Sequence, residues 1–158
     1  IVEICREYGV KTYMTLNIVL YGEDLAPMRE ALDAAKAAGV NAIIASDMAA
    51  ITYCRKIGLE VHISTQLNVS NVEALRFYSQ FADVIVLARE LNLHQVKEIH
   101  QTIVREGICG PSGRPVAFLY QESEKCTGHS GRGLYKGCFY NNHSAGRRKT
   151  AGGSHRSG

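Results

Sequence analysis

The sequence predicts an α/β fold: a partial (β/α) TIM-like barrel with parallel strands over residues 1–116, then an irregular, basic Gly/Ser/Arg-rich tail over residues 117–158. Three observations carry this. An apolar, β-branched run, a polar turn and an amphipathic helix recur in that order four times along residues 12–107. The runs are apolar throughout rather than alternating, the pattern of strands in a parallel sheet. The strand starts fall roughly 20–30 residues apart, the spacing of a barrel of about 250 residues, of which four units are about half.

A first helix, with Ile1, Ile4 and Cys5 on its apolar side, ends at Gly9 and closes an earlier unit. Because the chain opens with Ile1 inside this pattern, it is expected to be a fragment without its true N-terminus. The first strand covers residues 12–18, with Tyr13, Met14, Leu16 and Ile18. The helix over residues 24–38 buries Leu25, Met28, Leu32 and Ala35, tolerates Pro27 in its first turn, and stops at Gly39. Ala42-Ile43-Ile44-Ala45 is the second strand, and Asp47 is placed to cap a helix ending at Gly58. The third strand covers residues 61–65; Ser70 and Glu73 then read as a capping box for a helix burying Val72, Leu75 and Tyr78. The fourth strand covers residues 84–88, and Asn92 with Gln95 caps a helix of Leu93, Val96, Ile99 and Ile103 that closes at Gly107. Residues 109–113 form a turn and residues 115–120 a short strand. Beyond Gln121 eight of the 15 glycines accumulate with little aliphatic content, so disorder is expected there.

A doubly wound open sheet is the alternative architecture, but no Gly-x-Gly-x-x-Gly follows a strand. No apolar run approaches the ~20 residues of a membrane helix, so no membrane partner is expected. No signal-peptide pattern opens the sequence. The net charge of +3 divides unevenly: residues 121–158 hold seven Lys/Arg against two Glu, leaving 11 basic and 13 acidic residues before them. Such a basic segment is either solvated or an RNA-binding arm. Five widely spaced cysteines, an odd number, make no disulfide framework and point to a reducing, cytoplasmic setting.

In barrels and open parallel sheets ligands sit beyond the carboxyl ends of the strands. That rule selects Asn17 and Tyr21 after the first strand, Ser46 and Asp47 after the second, Ser64, Thr65 and Gln66 after the third, and Arg89 and Glu90 after the fourth. Asn17, Asp47, Gln66 and Arg89 are the candidate substrate-binding residues, and Glu90 is the candidate catalytic acid or base. Each has a plainer reading. Asp47 suits a helix cap, Ser64 and Thr65 can satisfy loop backbone, and Arg89 with Glu90 can form a surface ion pair of about 0–1 kcal/mol. Gln66 is neither a cap nor a core filler. Arg89 suits a bidentate anion contact. His62 reads as a packed strand histidine, and Cys5 and Cys54 as small core residues. His94 and His100 fall on different helix faces. Cys126 and Cys138, with His129 and His143, have no metal-knuckle spacing. No Gly-x-Ser-x-Gly, Walker loop or His-Glu-x-x-His occurs.

Tyr13-Met14-Thr15-Leu16-Asn17, Ala42 through Asp47, Glu60 through Asn68 and Val86-Leu87-Ala88-Arg89-Glu90-Leu91, followed by Ile108 through Gly113, together resemble the peptidase U32 family of collagenase-like putative proteases over residues 1–116. The resemblance implies a barrel-like N-terminal domain. It implies either proteolysis of peptide substrates or, as in other members, prephenate-dependent hydroxylation of tRNA or rRNA, or ubiquinone hydroxylation. Several of those full-length relatives hold a [4Fe–4S] cluster, which needs four thiolates or near equivalents. The family signature, Gly-Ala/Ser-aliphatic-Cys with a second Cys seven residues on, is due near residues 118–135. Phe118 through Cys126 do not match it. No cofactor is therefore expected in this chain, the chain alone is expected to be inactive, and the tail is expected to be read out of frame. A truncated, non-enzymatic product is the third expectation.

Overall fold

The computed structural model describes residues 1–120 and 138–140. Helix α1 (Val2–Glu7) precedes β1 (Tyr13–Leu16), α2 (Leu25–Ala38), β2 (Ala42–Ala45), α3 (Met48–Ile57), β3 (Glu60–Ile63), α4 (Val72–Tyr78), β4 (Val84–Val86), α5 (Leu93–Glu106) and β5 (Ala117–Tyr120). A short β6 (Cys138–Tyr140) pairs antiparallel with β5.

The sheet order is β1-β2-β3-β4-β5-β6, and the first five strands are parallel. Every neighbour in space is the neighbour in sequence. A doubly wound sheet reverses its order at a switch point; this one does not, as in the wall of a (β/α) barrel.

Register explains the core. Leu16, Ala45, Ile63, Ile85 and Phe118 stand side by side across the five strands. They join Met28, Leu32 and Ala35 of α2, Ile51 and Cys54 of α3, Leu75 of α4, and Val96, Ile99 and Ile103 of α5 in one cluster. The adjacent row is only half covered: Tyr13 and Thr15 are exposed, Ile44 and Val84 intermediate, and His62 buried. The full burial lies on the helix side. His62 packs its ring 5.1 Å from that of Tyr13 and lies 3.1 Å from Glu60 Oε1, so it is a structural histidine.

Helices end where Gly39, Gly58 and Gly107 take left-handed backbone. The helix N-termini hold one correction. Asn71, not Ser70, caps α4, its Oδ1 accepting the Ala74 N–H at 2.9 Å. Asn92 and Gln95 form the expected reciprocal cap at 3.0 and 2.9 Å.

The boundary expected at Val116 also moves. Residues Ala117–Tyr120 are β5, and Phe118 is 3% exposed in the core. Residues 121–137 and 141–158, and with them Cys126, His129 and His143, lie outside the described residues.

Candidate functional site

The carboxyl ends of β3 and β4 are drawn together by the chain that leaves β3. Ser64 is buried, and its hydroxyl accepts the Gln66 N–H at 3.4 Å, starting a single 3₁₀ turn over Thr65–Leu67. Asn68 follows with φ +49°, the sole positive φ outside glycine among the described residues. Asparagine tolerates this left-handed backbone better than most residues. The turn reverses the chain so that Val69 bridges Leu87 in parallel, and the Ala88 N–H donates to the Val69 carbonyl at 2.9 Å. Val69 and Leu87 are fully buried, which anchors both loops.

The polar residues left outside that anchor enclose an open cleft of about 340 Å³, lined by Thr65, Gln66, Asn68, Arg89 and Glu90. Arg89 and Glu90 occupy the centre of a turn rather than a strand, so two consecutive side chains reach one cleft instead of opposite faces. Leu91 closes the turn in the core, its carbonyl accepting the Tyr120 hydroxyl from β5 at 2.5 Å. Arg89 and Glu90 are both exposed, and neither makes a hydrogen bond or ion pair among the described residues. The ion pair that their adjacency suggested is not formed. The cleft thus presents one cation, one anion, two amides and a hydroxyl.

Gln66, Arg89 and Glu90 share this cleft; Asn17 and Asp47 do not line it. This cleft lies between the carboxyl ends of β3 and β4. Asn17 is half-buried behind β1, two strands from β3, and strands stand about 4.8 Å apart. The Asp47 carboxylate turns back on its own helix, accepting the Ala49 N–H at 2.7 Å as the cap of α3. Asn68 was not singled out from the sequence. Its one signal is an asparagine between a polar turn and an apolar residue, where left-handed backbone is common.

Among the described residues no group of three or more His, Cys, Asp or Glu side chains is placed to hold a metal ion. Cys5, Cys54 and Cys109 are free thiols on separate elements, so these three do not fit a cluster site. Burial pushes the Cys54 thiol up to about 11, making it a core residue rather than a nucleophile. No helix among the described residues is long and apolar enough to cross a membrane.

Compared with known proteins, residues 1–109 match the family model described as Peptidase family U32. A collagenase of Porphyromonas gingivalis (strain ATCC BAA-308 / W83) is 57% identical over 148 residues, 93% of this chain and 36% of its own length. The tRNA hydroxylation protein P1 of Bacillus subtilis is 32% identical over 155 residues, 96% of this chain and 33% of its own length. The chain thus spans about a third of each of these curated relatives, 36% and 33%. The solved structure of the U32 peptidase Mk0906 shares the fold with a TM-score of 0.54 over 63% of this chain and 45% of that one, at 19% identity. Because the collagenase match takes in 93% of the 158 residues, it runs past Val116. The change of composition there is not where relatedness ends, which counts against an out-of-frame tail.

Proposed function

The chain belongs to peptidase family U32, and on that premise we propose that it forms the substrate-holding wall of a U32-type peptidase acting on collagen-like polypeptide. The observation that supports this reading is the β3–β4 cleft, where Gln66, Arg89 and Glu90 meet at the carboxyl end of a parallel sheet. Gln66 and Arg89 hold the chain of the substrate, and Glu90 supplies a carboxylate beside it. The collagenase at 57% identity favours a polypeptide substrate.

The described residues assemble no activated nucleophile, metal-bound water or acid pair. Among the described residues the cleft therefore serves to hold substrate. The chain's setting is the reducing cytoplasm, in keeping with the free Cys5, Cys54 and Cys109.

A second reading, RNA as substrate, is favoured by the tRNA hydroxylation protein P1 at 32% identity and by the seven Lys/Arg of residues 121–158. Fluorescence anisotropy separates the two. Labelled gelatin peptides should bind saturably and weaken roughly tenfold on Arg89→Ala, the loss of one charge-assisted contact. The RNA reading instead expects tRNA binding that falls steeply with salt and survives Arg89→Ala. Absence of saturable gelatin binding would end the peptidase-wall reading.

A further inference from the structure

The cleft has a charge pattern that narrows its ligand. Arg89 and Glu90 are adjacent, oppositely charged, exposed and unpaired among the described residues, although both line one hollow. Their Cα atoms stand about 3.8 Å apart across a trans peptide, so a short ligand can reach both heads. The other lining groups, Gln66, Asn68 and Thr65, donate and accept hydrogen bonds but carry no charge, and no apolar side chain lines the cleft.

A polyanion fits this poorly. A phosphate backbone placed against Arg89 would also meet the Glu90 carboxylate, and among the described lining residues one cation beside one anion leaves no net charge. An internal stretch of polypeptide offers carbonyls to Arg89 and amides to Gln66 and Asn68, but brings no opposite charge to Arg89 or Glu90. A molecule with one carboxylate and one ammonium a few ångströms apart answers all of them. Guanidinium and carboxylate pair with two parallel hydrogen bonds, and an ammonium offers three donors to a carboxylate. The volume of about 340 Å³ has room for a dipeptide.

We infer that the cleft is a subsite for a dipeptide-sized zwitterion, its carboxylate on Arg89, its ammonium on Glu90, and its amide against Gln66 and Asn68. This rests on the reading of the cleft as a peptide site and makes it specific for free termini. A protein degrading collagen-like chains would release such ends, and Gly and Pro are the residues those chains repeat.

Isothermal titration of the 158-residue chain with four ligands tests it: Gly-Pro, N-acetyl-Gly-Pro, Gly-Pro amide, and the doubly blocked form. Gly-Pro should bind best, each single block should weaken binding roughly tenfold, and raised salt should narrow the difference. Arg89→Gln should abolish the preference for a free carboxylate while keeping that for a free amine; Glu90→Gln should do the reverse. Arg89→Lys should restore part of the carboxylate preference, since charge returns without the bidentate fork. Circular dichroism of each variant confirms that it is folded. Equal affinity for free and blocked dipeptides overturns the zwitterion subsite. If that equal affinity still falls on Arg89→Gln, the peptide-binding reading stands without it; if no peptide binds, both fail.

Discussion

The main chain of Gly110 lies directly on Asp83: a Cβ at Gly110 would stand 2.8 Å from the Asp83 Cα and 3.0 Å from the Ala82 carbonyl oxygen. These are backbone atoms, so they cannot swing aside. Asp83 precedes β4, and its carboxylate accepts the Ser112 N–H at 3.0 Å and the Ser112 hydroxyl at 2.7 Å. The turn over residues 109–115 is thereby fastened to the amino end of β4, opposite the cleft.

Gly110→Ala should therefore lower stability by about 1–3 kcal/mol, the usual cost of overpacking a close approach. Urea unfolding followed by circular dichroism measures it. Peptide affinity, read at the other end of the strands, should not change. A neutral Gly110→Ala would mean that this turn is not clamped on Asp83.

Asp47 separates a cap from a site. Its side chain accepts the Ala49 N–H at the start of α3 and does not line the cleft. Asp47→Ala should cost about 1 kcal/mol of stability, whereas Asp47→Asn or Asp47→Ser should cost a few tenths, because either can still accept that bond. Gelatin-peptide anisotropy should be the same in all three. A loss of affinity in Asp47→Asn at unchanged stability would return Asp47 to the ligand site.

Most of the wall was legible because burial imposes a period on the sequence. The stripe Met28, Leu32 and Ala35 and the stripe Val96, Ile99 and Ile103 are the buried faces of α2 and α5, as their spacing demanded. The cap of α4 was misread by one residue because Ser70 and Asn71 are both good caps, and local chemistry does not choose between them. The cleft was half legible. That Gln66, Arg89 and Glu90 emerge at strand ends follows from the apolar runs before them. That they share a hollow follows from the Val69–Leu87 bridge, a contact between loops that no local pattern encodes. The same long-range contact sets the backbone of Asn68, and for that reason Asn68 escaped notice. Asn17 and Asp47 were chosen by the same strand-end rule, which gives a rim but not a place along it.

Asn68 offers a test of that bridge. Its φ of +49° is cheap for Asn and Gly but costs an alanine roughly 1 kcal/mol. Asn68→Gly should keep stability within a few tenths of a kcal/mol while removing the amide from the cleft; Asn68→Ala should lose both. Thermal unfolding and Gly-Pro titration of the pair distinguish backbone from side chain. Equal stability of the two variants would show that residue 68 is free to leave the left-handed region.

Cys54 ties the core to pH. It lies on α3 with no solvent exposure, and burial disfavours its thiolate, raising the thiol from 9.0 to about 11. Below pH 9 the folded and unfolded chains both keep this proton, and the buried thiol's contribution is fully present. Above it the unfolded thiol ionises while the folded one holds its proton to about pH 11, so the unfolded state binds fewer protons and stability falls as pH rises. Cys54→Val, close in volume and unable to ionise, should cost less than about 1.5 kcal/mol at pH 7 and show a shallower decline between pH 9 and 11. Urea midpoints across that range, compared between the two proteins, isolate this group from the lysines and tyrosines that titrate in both. The same burial predicts a labelling pattern: at pH 8 a maleimide should modify the exposed Cys109 within minutes and leave Cys54 untouched until the chain unfolds. Parallel pH slopes for wild type and Cys54→Val, or rapid native labelling of Cys54, would place that thiol in contact with water and open the packing of α3 against β2 and β3 to revision.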